Sequence, residues 1–171
     1  RLAADHPEAD VTVHDRLGFV VAHAPGFDAP DVPATVAVVS GGTGDAAAAE
    51  EATVVAREMG ATVETVHDVG VASIARVLDA RDTLDEADAL VVAAGREGAL
   101  PTVVAGLVSA PVVGLPVSTG YGHGGEGEAA LAGMLQSCTV LSVVNVDAGF
   151  VAGAQAALVA RRVGAARDAD T

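Results

Sequence analysis

Thr35-Val36-Ala37-Val38-Val39-Ser40-Gly41-Gly42-Thr43-Gly44-Asp45-Ala46-Ala47-Ala48-Ala49-Glu50-Glu51-Ala52-Thr53-Val54-Val55-Ala56-Arg57-Glu58-Met59-Gly60 decides the fold. Thr35–Val39 is an apolar run of strand length with no helical period, so it reads as a buried strand. Glycines follow at once. Then Ala46–Met59 takes up a helical pattern, which Gly60 ends. Strand, glycine loop and helix in that order are one half of a parallel β-α-β unit.

The same order recurs downstream. Thr62–Val66 reads as the next strand and Ser73–Leu84 as the next helix, with Ser73 as its N-cap. Ala89–Ala94 is a third strand, running through Gly95-Arg96-Glu97-Gly98 into a helix over Leu100–Leu107. Pro111–Leu115 is a fourth, joined by a long glycine-rich loop to a helix over Glu128–Leu135. Leu141–Val146 is a fifth, followed by a closing helix from Phe150 to Arg162. The alternation predicts a three-layer α/β/α sandwich around a parallel sheet of five strands, in the flavodoxin-like order 2-1-3-4-5. Ligands in such sheets bind outside the carboxyl ends of the strands, where all these loops converge.

Residues 1–33 differ from this alternation. Val11–His14 and Gly18–Ala22 suggest a short hairpin around Asp15-Arg16, and Ala24–Pro33 reads as a linker. The division is therefore 1–33, a segment with its linker, and 34–171, an α/β domain whose loops are where chemistry is expected. The chain starts on Arg1, which suggests a piece of a longer protein, and the start has no secretory signal.

Apolar residues make up 51% of the chain but aromatics only 2%, so the core has to be built from Val, Ala and Leu. That suits a sheet covered by helices on both faces. No apolar run is long enough to span a bilayer. The formal net charge is −14 and all nine basic residues are arginine. Such a surface repels nucleic acid and anionic membranes, so neither is an expected partner. The acidic residues are scattered, which favours a cytoplasm of high salt, where self-repulsion is screened, over an acidic interaction tail. Helices with apolar residues on more than one face point to a homo-oligomer.

Chemistry is expected in the loops. Ser40–Asp45 follows a strand and opens a helix, so its glycines can aim backbone N–H groups at a phosphate. A plain capping turn with Thr43 or Asp45 as cap accounts for it as well. His67 and Asp68 end the second strand; they suit ribose hydroxyls or acid–base work, although a solvated turn is the simpler reading. Arg76, in the following helix, would suit a cationic clamp. Arg96 and Glu97 stand between glycines after a wholly apolar strand, and Glu97 is the strongest carboxylate candidate; an exposed ion pair is the alternative. Cys138 is the lone cysteine, closing the stretch Ser118-Thr119-Gly120-Tyr121-Gly122 through Gln136-Ser137. It is either a buried apolar residue or a reactive thiol. No His/Cys grouping has zinc spacing, and no metal ligand is assigned.

Ser40–Asp45, Asp68-Val69-Gly70-Val71, Ala94–Leu100, Pro111–Tyr121, Gly133-Met134-Leu135-Gln136-Ser137-Cys138 and Val143–Phe150 together resemble the LarB family. That family comprises the pyridinium-3,5-biscarboxylic acid mononucleotide synthases of nickel-pincer cofactor synthesis. The likeness spans Val36 to Arg162 and extends more distantly to PurE, the aminoimidazole ribonucleotide carboxylases. The purine enzymes carry Gly-Ser-x-Ser-Asp and Ala-His-Leu-Pro; here Ala99 occupies the position of that histidine.

The resemblance implies that nicotinic acid adenine dinucleotide, CO2 and water give the biscarboxylated mononucleotide and AMP. It implies Cys138 as nucleophile and Glu97 or Asp68 as base or CO2-positioning group. Substrate contacts would come from Ser40, Gly41, Gly42, Thr43, Asp45, Arg76, Arg96, Ser118, Gly120 and Tyr121. A magnesium ion and a homo-octamer are implied too. The alternatives are an aminoimidazole ribonucleotide carboxylase or mutase and a non-catalytic nucleotide-binding domain.

Overall fold

A computed structural model describes residues 2–15, 17–120 and 122–169, apart from the Asp168 side chain. The first elements are a one-turn helix α1 (Leu2–Asp5) and two strands, β1 (Asp10–His14) and β2 (Phe19–His23). The strands pair antiparallel with His14 opposite Phe19, which is the expected hairpin; Arg16 at its turn is outside the described residues.

The main body follows the expected alternation. Its elements are β3 (Val32–Ser40), α2 (Ala46–Glu58), β4 (Ala61–Val66), α3 (Ile74–Asp79), α4 (Arg81–Asp85), β5 (Ala89–Ala94), α5 (Ala99–Leu107), β6 (Val112–Pro116), α6 (Glu128–Leu135), β7 (Ser142–Val143) and α7 (Gly149–Ala169). The five strands β4-β3-β5-β6-β7 form one parallel sheet in that order, the flavodoxin-like arrangement.

Alternation along each strand divides the core in two, because successive side chains leave opposite faces of a sheet. Val36 and Val38 of β3 join Val91 of β5 in a layer shared with α2 and α7. Ala37 and Val39 join Leu90 and Val92 against Val77, Leu84, Val104 and Met134 on the other side. The alanine content has a structural use on the first face. Ala49, Ala52 and Ala56 of α2 meet Ala152, Ala156 and Ala160 of α7 in the same buried cluster. A methyl added at Gly153 would fall 2.3 Å from the Ala52 carbonyl oxygen, so the two helix backbones touch there.

Four boundaries depart from the expectations, one of them the end of the closing helix, which runs past Arg162 to Ala169. Strand β3 starts at Val32, inside the stretch read as linker, because the Val32 amide donates to the Gly60 carbonyl oxygen at 3.0 Å. Pro33, which has no N–H to give the ladder, sits where the β3–β4 register slips between Val32 and Thr35. The helix expected over Ser73–Leu84 is broken at Ala80, whose ψ of 0° leaves the helical range, and Ser73 makes no side-chain capping bond. The fifth strand shrinks to Ser142–Val143. Beyond it the Asp147 amide bonds to the Pro116 carbonyl at 2.9 Å and Asp147 turns to φ 56°, drawing the chain off the sheet edge.

Candidate active site

The sheet order reverses between β3 and β5, so the loops following these two strands diverge to opposite sides and leave a crevice. A hollow of about 470 Å³ opens there, lined by residues 41–45, 70–72 and 94–100 with Thr119 and Gly120. All four loops that follow β3, β4, β5 and β6 contribute to it.

Backbone bonds lock these loops to one another. The Gly41 amide donates to the Ala93 carbonyl at 3.1 Å, and the Gly70 amide to the Gly41 carbonyl at 2.9 Å. The Thr119 hydroxyl donates to the Gly44 carbonyl at 2.9 Å. Glycine is required where backbones come this close. A Cβ at Gly120 would lie 1.9 Å from the Gly95 oxygen, and one at Gly70 would lie 2.7 Å from the Gly41 oxygen. Gly42 is different: its φ of −156° is ordinary extended backbone, and the nearest atom to an added Cβ is 3.9 Å away.

Asp45 occupies the centre of this construction. Its carboxylate accepts the Gly42 amide at 2.8 Å instead of capping α2. Its two oxygens face the Cβ positions of Gly41 and Gly95 at 3.2 and 2.9 Å. Burial pushes its pKa above the ordinary value, and bonds from the Gly42, Gly95 and Gly41 amides oppose that rise. The amides of Gly41 and Gly42 are thus spent inside the protein rather than aimed at an anion. Sequence reasoning gave Asp45 a ligand-binding or capping part; the tie between the β3 and β5 loops depends on three-dimensional proximity that spacing does not reveal.

Of the expected site residues, the hollow gathers Gly41, Gly42, Thr43, Asp45, Arg96, Glu97 and Gly120. Arg96 and Glu97 are both exposed, at the mouth. Ser40 is buried behind it, with its hydroxyl 3.0 Å from His67 Nδ1. Asp68, at φ 57°, accepts from the Arg76 guanidinium at 2.8 Å, and the same guanidinium donates to the Asp68 carbonyl at 3.0 Å. That pair braces its own loop and lies outside the hollow's lining. Ser118 donates its amide to Asp147 Oδ1 at 2.9 Å, which makes Asp147 a support of the β6 loop that sequence reasoning left without a role. Tyr121 falls outside the described residues.

Cys138 is exposed, so the buried alternative is ruled out. It does not line the hollow. It follows α6, held by a run of hydroxyls: Thr102 to Ser137 at 2.9 Å and Ser137 to Thr139 at 2.8 Å. Thr102 is three residues into α5 from Ala99, so this anchor is about 4.5 Å along the helix from the hollow's edge. Helix α6 itself presses on the loop that carries Glu97, since a Cβ at Gly133 would be 2.2 Å from the Glu97 carbonyl oxygen. Glu97 therefore stands between the glycine loops and the helix leading to Cys138.

Among the described residues, no three His, Cys, Asp or Glu side chains converge as a metal site, and no helix is long and apolar enough to cross a membrane.

Comparison with known proteins agrees with this architecture. The crystal structure of PurE from Treponema denticola superposes with a TM-score of 0.58, covering 77% of this chain and 80% of that one at 18% identity, a likeness of fold. An uncharacterised protein of Methanocaldococcus jannaschii is 43% identical over 129 residues, which are 74% of this chain and 49% of that protein. The chain thus spans about half the length of that relative. A family model described as AIR carboxylase matches residues 35–171, from the first strand of the alternation to the end of the chain. The protein belongs to the AIR carboxylase family.

Proposed function

We propose that the protein carboxylates the pyridinium ring of nicotinic acid adenine dinucleotide and hydrolyses its phosphoanhydride, releasing AMP and the pyridinium-3,5-biscarboxylic acid mononucleotide. The observation that carries this reading is the composition of the hollow's mouth. Glu97 is present there, and Ala99 stands where the purine carboxylases have histidine. Among the described residues lining the hollow there is no imidazole; His67 is turned to Ser40.

A pyridinium ring is electron-poor and does not attack CO2 unaided. Addition of the Cys138 thiolate at C4 forms a carbon–sulfur bond and gives a dihydropyridine, whose enamine carbon C5 is nucleophilic. C5 then bonds to CO2. Loss of the C5 proton to Glu97 and departure of the thiolate restore the aromatic ring. Covalent catalysis of this kind replaces one hard step by two easier ones. In this reading the exposed Cys138 thiol meets the pyridinium end of the dinucleotide and the glycine loops its phosphates, which the exposure of the thiol and the glycine lining of the hollow support. Arg96 offsets phosphate charge, Thr43 and Gly120 give the ribose and phosphates close access, and Asp45 holds the β3 and β5 loops in register. Magnesium fits as an ion on the substrate's phosphates, since the hollow offers one exposed carboxylate, Glu97, and Asp45 is engaged by amides. It would supply positive charge to the phosphates. The same reading takes the protein to be a homo-octamer in the cytoplasm.

Incubation with nicotinic acid adenine dinucleotide, bicarbonate and magnesium should yield AMP and a mononucleotide heavier by one carboxyl group, read by mass spectrometry. Carboxylation of aminoimidazole ribonucleotide with no turnover of the dinucleotide would replace this reading with the purine one.

A further inference from the structure

The chain has three phenylalanines, and none lies in its buried core. Burying a ring is worth more than burying a valine or alanine, so this distribution runs against the usual one. All three, Phe19, Phe27 and Phe150, meet around a second hollow of about 460 Å³, between the β1–β2 hairpin and the outer face of α2. The volume lies in the range that small ligands occupy, roughly 300–1,000 Å³. Phe27 remains 48% exposed and Phe150 62% exposed; one face of Phe27 is covered by the stacked His23 ring and one face of Phe19 by the His14 ring, and Phe150 has no ring stacked on it among the described residues.

The charged groups around these rings are of one sign. Glu51 and Glu58 of α2 line the hollow, seven residues apart and so on the same side of the helix. No arginine lines it. His23 is already committed: its ring stacks on Phe27 with centroids 4.6 Å apart and planes 13° apart, and its Nε2 is 2.6 Å from Glu58 Oε2. With His23 neutral the lining carries two negative charges, and with His23 protonated it still carries one. Aromatic faces present the negative side of their quadrupole to a ligand, which adds to the same preference. The hollow at the carboxyl edge is lined differently, with Arg96 beside its carboxylates, glycine backbone and no phenylalanine.

We propose that the hollow between the hairpin and α2 is a binding site for a small organic cation bearing apolar substituents. The aromatic rings take its apolar body and positive charge, while Glu51 and Glu58 set the preference for a cation. The proposal is independent of the carboxylase reading.

With phenylalanine alone labelled with 13C, the ring signals come from three residues and every one of them reports this hollow. The protein is titrated with benzyltrimethylammonium chloride, and separately with benzyl alcohol and sodium benzoate at matched ionic strength. Benzyltrimethylammonium should shift all three rings saturably and bind at least tenfold more tightly than benzyl alcohol, and benzoate should not bind. Glu51→Gln, which leaves the His23–Glu58 pair intact, should weaken the cation at least threefold with the amide spectrum unchanged, and E51Q/E58Q at least tenfold. Equal affinity for benzyl alcohol, binding of benzoate, or full affinity in Glu51→Gln would overturn the proposal. So would ring shifts on dilution of the unliganded protein, which would mean that a second copy of the chain covers the hollow.

Discussion

Replacing Gly120 by alanine probes the site where two backbones come closest. The added methyl would start 1.9 Å from the Gly95 carbonyl oxygen and 3.0 Å from its carbon, both backbone atoms that no rotamer change can move. A carbon–oxygen contact needs about 3.3 Å. The β5 and β6 loops must therefore separate by about 1.4 Å, opening the hollow between Gly95 and Thr119. A misplacement of roughly 1 Å at a reacting centre costs on the order of a hundredfold in rate. Overpacking of this kind costs about 1–3 kcal/mol in stability. Gly120→Ala should thus fold, melt a few degrees lower, turn over nicotinic acid adenine dinucleotide about a hundredfold more slowly, and bind it more weakly by calorimetry because the loops that line the hollow have moved apart. Gly42→Ala is the matched control: its Cβ has 3.9 Å of room and its φ is ordinary, so both stability and affinity should be close to those of the parent. Unaltered affinity in Gly120→Ala, or equal losses in the two variants, would refute the close-contact account of these loops.

Asp45 makes a pH-dependent contribution. Burial raises its folded pKa above the ordinary 3.8, so the folded state holds the proton more tightly than the unfolded chain does. Its contribution to stability should then be most favourable below pH 3.8 and decline as pH rises through the folded midpoint; carboxyl-carbon NMR should find that midpoint above 3.8. Asp88 ties the far end of the sheet together, accepting the Thr35 amide at 2.8 Å and both guanidinium nitrogens of Arg167, while its own side chain is 4% exposed. Asp88→Ala should cost about 1–3 kcal/mol in urea unfolding, since the part-buried Thr35 amide loses its charged acceptor; Arg167 is itself largely exposed, which keeps its share of the loss small. Light scattering in concentrated salt should report a closed oligomer, and a monomer would remove the octamer from the functional reading.

The strands were legible because fully buried parallel strands read as unbroken apolar runs, and Ala89–Ala94 is buried at every position. The hairpin and the glycine loops were legible for the same local reason: turn residues punctuate apolar runs. What the sequence concealed depends on contact between distant segments. Gly42 and Gly120 look alike in one dimension, yet only Gly120 is pressed against another backbone. Asp45 reads as a cap until the β5 loop is placed next to it. Asp68 and Arg76 read as separate candidates, eight residues apart, and turn out to pair with each other. The short β7 could not be anticipated from Leu141–Val146, which has strand composition throughout; its length is set by Asp147 bonding to Pro116 and Ser118.

The central claim is that the Cys138 thiolate adds to the substrate ring, and the most direct measurement is intact-protein mass spectrometry under CO2-free conditions. With nicotinic acid adenine dinucleotide and no CO2, the parent protein should carry a covalent ring–sulfur adduct that disappears when bicarbonate is added, as AMP and carboxylated product form. Cys138→Ser should keep the fold and the affinity for the dinucleotide, form no adduct and give no carboxylated product, because a serine hydroxyl is scarcely ionised near neutral pH. Carboxylation at the parent rate by Cys138→Ser would contradict the account.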